Sequence, residues 1–148
     1  MTRDELLDAI LADLQNEWRH LQYYLHHMNV FRGIYMLTLK PLFEAEMRSE
    51  VEHVKMFSEL LVQLGAAPIL EDNGAPGVHY EAGDVRKILH YAYQMEVAVA
   101  ENYLQRIRQA EHVGGTDGKL VQLFYEKQLE DSYTDAQKFK KILDGWDT

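Results

Sequence analysis

The feature that most constrains this chain is the run Phe43 to Phe57, FEAEMRSEVEHVKMF. Alternating steps of three and four, carried outward from it, pick out Met36, Leu39, Phe43, Glu46, Glu50, His53, Phe57, Leu60 and Leu64. Apolar residues at that period form the inward seam of a packed helix. Glu50 and His53 stand three residues apart in this seam, on one helical face. A carboxylate buried there costs on the order of several kcal/mol unless something compensates it. Glu-x-x-His pointing into a helical core is one way to hold a metal ion. A buried ion pair that satisfies both groups is the plainer alternative.

Three other segments carry the same period. Thr2 and Glu5 spell a capping box, followed by Leu7, Ile10, Leu14, Glu17, Leu21, Tyr24, Met28 and Phe31, with Gly33 as the stop. The second helix is expected from about Ile34 to Leu64, bent near Pro41 and closed by Gly65 and Pro68. Asp84 is the expected N-cap of a third helix with Val85, Leu89, Ala92, Glu96, Val99 and Tyr103 inward. His112 to Gly118 reads as a turn, with Thr116 or Asp117 capping a fourth helix. That helix has its seam at Tyr125, Leu129, Ser132, Ala136, Phe139 and Leu143. Residues 66–83 lack periodicity and carry Pro68, Gly74, Pro76, Gly77 and Gly83. So long a connection suits a crossover between the second and third helices. The expected fold is all-α: one antiparallel four-helix bundle, a single domain over residues 1–148.

Composition narrows the chemistry. Without a cysteine the chain has no disulfides, zinc knuckles or thiolate catalysis. A net charge of −9 argues against nucleic acid and favours cations. No apolar run nears the roughly 20 residues that cross a bilayer, and MTRDELLDAI lacks the apolar core of a signal peptide. A cytoplasmic protein with no membrane partner is expected.

An internal repeat then locates a site. Tyr125 to Phe139, YEKQLEDSYTDAQKF, overlays Phe43 to Phe57 without a gap, 82 residues on. The first and third helices overlay at 79 residues, so Glu17 matches Glu96 and Tyr24 matches Tyr103. In this register Glu50 matches Ser132 and His53 matches Asp135. A rival register through Glu130 and Tyr133 would put Glu126 and Lys127 in the core, so the first is preferred.

One Glu from each of two helices, joined by Glu-x-x-His, resembles the ligand set of ferritin-like di-iron carboxylate proteins. The resemblance spans nearly the whole chain, with bacterioferritin and rubrerythrin-type domains as the nearest comparisons. NEWRHLQYYLHH around Glu17 is similar to the first helix of bacterioferritins, and LVQLGAAPIL to their segment after the second. It implies a homo-oligomeric ferritin-like protein that binds iron, with manganese or zinc as other occupants. Its partners would be metal ions and dioxygen or peroxide, and its activity ferroxidase with iron storage or detoxification. A di-metal oxidase or oxygenase on an organic substrate, or a structural protein with a degenerate site, are the alternatives. By the resemblance Glu17 and Glu96 are terminal ligands, Glu50 a bridge and His53 a terminal ligand. Asp135 is an oxygen ligand in the place of a second His.

The departures are specific. The second bridging Glu is Ser132 here, although animal ferritin subunits also lack the second Glu-x-x-His. Val51 stands where bacterioferritins take haem through Met, so no haem is expected. The chain ends soon after the fourth helix, so the large hollow shell of classical ferritins is not expected. Tyr24 is a candidate redox-active residue beside the metals, with packing as its ordinary alternative. His20, His26 and His27 fall off the seam and are expected to face solvent or a subunit contact. Trp18, Tyr23 and Trp146 are expected at the surface, as candidates for an oligomer interface.

Overall fold

A computed structural model describes residues 1–70, 78–81 and 83–146. Five helices follow one another: α1 Arg3–Met28, α2 Ile34–Thr38, α3 Lys40–Gln63, α4 Val85–Val113 and α5 Gly115–Asp144. No strand occurs among the described residues. The chain clusters into two compact units, Leu7–Gly83 and Met1–Leu6 with Asp84–Thr148. Part of the expected crossover, residues 71–77 and 82, lies outside the described residues.

The capping box at the start of α1 forms as spelled. The Glu5 amide donates to Thr2 Oγ1 at 3.1 Å, and the Thr2 amide to Glu5 Oε2 at 3.2 Å. Each bond takes up a donor that the first helical turn leaves over. In the 7–83 unit, Leu14, Tyr24, Phe43, Phe57 and Leu61 are all fully buried. Tyr24 and Phe31 both meet the Phe43 ring edge to face, at centroid distances of 5.4 and 4.9 Å. α1 and α3 thus share one aromatic core.

The second helix is not continuous from Ile34. It breaks at Leu39, which closes α2 and opens α3, and Pro41 lies in the first turn of α3. Proline has no N–H to give residue 37 and its ring crowds that carbonyl, so it begins a helix and interrupts one that runs through it. α2 buries none of its residues, and Met36, expected in the seam, is half exposed.

In the other unit, Asp84 caps α4 as expected, accepting from the Lys87 amide at 3.1 Å. The turn after α4 is far shorter than the sequence suggested. α4 runs on to Val113, α5 begins at Gly115, and Gly114 between them has φ 72°. That left-handed conformation is costly for any residue with a β-carbon. No side chain caps α5, so Thr116 and Asp117 do not have the expected role. Gly118 lies inside α5, where a β-carbon would come 2.6 Å from the Ala110 carbonyl oxygen of α4. The glycine lets the two helices approach at this point.

Candidate metal centre

Glu17 comes from the middle of α1, and Glu50 and His53 from successive turns of α3. Their exposures are 2%, 2% and 4%. His53 Nδ1 stands 3.3 Å from Glu17 Oε2 and 3.4 Å from Glu50 Oε2. One ligand atom from each of the three lies within 4.8 Å of the other two. Two carboxylates and an imidazole converging in an apolar interior form an N,O donor set suited to first-row divalent ions.

The electrostatics of Glu17 show how closely the group is coupled. Burial pushes its carboxyl up, but hydrogen bonds to Glu50 and His53 and the nearby His20 and His53 outweigh it, holding Glu17 below its ordinary value. A divalent ion at this point would take over the compensation of both carboxylates.

Glu96 on α4 and Asp135 on α5 also come together, with carboxylate oxygens within 4.8 Å and exposures of 2% and 8%. Asp135 Oδ1 accepts from Lys138 Nζ at 3.4 Å. Ser132 is buried on α5, three residues before Asp135. Glu130 is exposed and Tyr133 is 61% exposed, so the rival register is excluded. Tyr24 is fully buried against Phe43 and Tyr23.

Several buried polar residues escaped the sequence reading. His20 and His27 are buried, not solvent-facing, and Tyr23 is 1% exposed. The reason is the width of the inward stripe on α1: a packed helix buries more than one line of residues. Asp13 and His20 flank Glu17 one turn to either side, at 5% and 7% exposure. Burial pushes the His20 imidazole down, as does the charge of Arg19, against the pull of Glu17. His27 Nδ1 donates to the Tyr23 carbonyl at 2.8 Å, and its Nε2 accepts from the Glu81 amide at 3.0 Å. Glu46, which the α3 seam contained without a role, is 3% exposed one turn before Glu50. On α5, Gln128 is 1% exposed and its Oε1 has no hydrogen-bond partner among the described residues. An orphaned oxygen of that kind costs about 1–3 kcal/mol. The signal for these residues was there in the width of the stripe, which a single 3–4 line undersamples.

Comparison with known proteins agrees with this geometry. The family model for the ferritin-like domain matches residues 7–147. A solved structure described as ferritin-like, diiron-carboxylate proteins from Bacillus anthracis str. Ames is 27% identical, with a TM-score of 0.81. The match covers 97% of this chain and 99% of that one. Mycobacterium tuberculosis bacterioferritin superposes with a TM-score of 0.82 at 15% identity, over 99% of this chain and 89% of its own. No curated protein matches the chain significantly. No described helix is long and apolar enough to cross a membrane. With the family model spanning nearly every residue and the fold shared from end to end, this chain is a member of the ferritin-like domain family.

Proposed function

We propose that the protein binds iron at a di-metal centre and oxidises it, serving iron storage or detoxification. The observation that carries the reading is the Glu17–Glu50–His53 group, three buried ligand residues with atoms within 4.8 Å of one another. Glu17 and His53 would be terminal ligands of the first ion, and Glu50 the bridge to the second. Glu96 and Asp135 would hold that second ion. Family membership supports treating residues 1–148 as one domain, since four helices of this fold surround one pair of ions.

Bound iron supplies one-electron chemistry toward dioxygen. The chain's own part is narrower. Glu17 and Glu50 neutralise the charge of the ions, His53 adds a nitrogen donor, and the aromatic packing of Tyr24 and Phe43 keeps water out. Tyr24, in that packing, is proposed as a redox-active neighbour. Manganese or zinc would be accepted by the same donors. The reading places the protein in the cytoplasm as a homo-oligomer, with metal ions and dioxygen or peroxide as its partners.

The test is anaerobic titration with Fe(II), followed by admission of air. Ferrous iron should bind and oxidise faster than the background, and Glu50→Ala should abolish most of that activity. Absence of bound iron, or oxidation no faster than in buffer, would sink the proposal. A second reading, a bundle with one working ion position, is favoured by Ser132 and by the Lys138 contact to Asp135. It predicts binding that saturates at a single ion.

A further inference from the structure

We propose that Lys138 is a tethered cation that competes with the second metal ion for Asp135, setting the two ion positions apart in affinity. The inference rests on the metal-centre reading above. Lys138 and Asp135 stand three residues apart on α5, so the helix itself holds the ammonium beside the carboxylate. The side chain of Lys138 is 51% exposed and that of Asp135 is 12% exposed. The ammonium therefore reaches inward along an apolar stem from the half-exposed edge of the helix. While it donates to Oδ1 at 3.4 Å, a divalent ion on the same carboxylate meets a like charge a few ångströms away.

The other half of the repeat lacks this device. At the offset of 82 residues that pairs His53 with Asp135, the counterpart of Lys138 is Met56, which carries no charge. Around Glu17 and Glu50 the neighbouring basic groups are the His20 and His53 imidazoles, and His53 becomes a ligand when neutral. Glu17 and Glu50 can thus present two charges to an ion. On the other side Lys138 cancels part of the charge that Asp135 offers until the ammonium leaves. The first position fills before the second, and displacement of Lys138 is part of filling the second.

The experiment is a Mn²⁺ titration of the full chain, followed by EPR of the free ion, for the wild type, Lys138→Gln and Lys138→Arg. Circular dichroism checks that each variant is folded. Lys138→Gln should tighten the second ion by about two- to five-fold, the range set by a half-exposed ion pair, and leave the first unchanged. Lys138→Arg should match the wild type. The inference is overturned by a second constant that is unchanged or weaker in Lys138→Gln. It is also overturned if both ions tighten equally, which is a general charge effect, or if the first ion binds and no second follows in either protein. Mn²⁺ binding at neither position would overturn the metal-centre reading itself and this inference with it.

Discussion

Replacing Glu50 by Gln separates a metal ligand from a structural ion pair, because the two roles predict opposite patterns. In the ion-free chain Glu50 is 2% exposed and hydrogen-bonded to Glu17, whose carboxyl lies below its ordinary value. A Gln side chain has nearly the same shape, and its amide N–H can donate to the Glu17 carboxylate. The change in ion-free stability is therefore about one net hydrogen bond, within about 1 kcal/mol in either direction. The ion-bound state behaves differently, since an amide cannot supply the charge of a bridging ligand. An ion at one hundred times its Kd stabilises the folded chain by about 2.7 kcal/mol. For a domain of this size each kcal/mol moves Tm by about 2–4 °C, so the ion should raise the wild-type Tm by about 5–11 °C. Thermal denaturation by far-UV circular dichroism, with chelator and with Mn²⁺, measures both quantities. Glu50→Gln should keep the chelated Tm and lose the rise. A collapse of the chelated Tm by more than about 10 °C, with an equal rise in both proteins, would show that Glu50 is structural and refute the reasoning.

Other outcomes follow from single contacts. Gly118→Ala places a β-carbon 2.6 Å from the Ala110 carbonyl oxygen, so overpacking of up to about 3 kcal/mol should exceed the gain of about 1 kcal/mol in helix propensity. Urea denaturation should show a loss of about 2 kcal/mol, and a stabilised variant would mean that α4 and α5 do not meet there. Burial holds His27 below its ordinary value of 6.5, as do the charges of His26 and His79, against the Tyr23 carbonyl and Glu81. A base depressed in the folded state takes its proton more readily when unfolded. Its contribution is thus whole above pH 6.5 and shrinks as pH falls below that value. Corrected for intrinsic exchange, protection of the Glu81 amide should drop through that range, and protection that stays constant would contradict the contact. Tyr24→Phe should leave Mn²⁺ affinity unchanged and slow Fe(II) oxidation; an unchanged rate would leave the ring with a packing role only.

The elements read from the sequence and those that were missed differ for physical reasons. The Thr2–Glu5 box and the Asp84 cap were legible because each is a local hydrogen bond between side chain and backbone, within three residues. Glu17, Glu50 and His53 were legible because each interrupts an apolar line, and burying such a group demands a reason. The break at Leu39 was hidden because Pro41 is compatible with either a bend or a new first turn, and packing decides between them. The α4–α5 turn was overestimated because three glycines read as a loop. Gly114 and Gly115 serve left-handed steps, at φ 72° and 67°, and Gly118 serves a helix contact that only the tertiary arrangement creates. His20, His27 and Gln128 were missed because the buried stripe is wider than the line used to trace it. Lys138 was invisible until Asp135 was seen to be buried with an ammonium against it.

The central claim is that Glu17, Glu50 and His53 hold a metal ion. Anomalous scattering from crystals grown with Fe(II) under anaerobic conditions, recorded on both sides of the iron edge, tests it most directly. The account predicts an anomalous peak bounded by the Glu17 and Glu50 carboxylates and the His53 ring, occupied at limiting iron before any peak at Glu96 and Asp135. A map with no peak among these three side chains, or with iron only elsewhere on the chain, would contradict it.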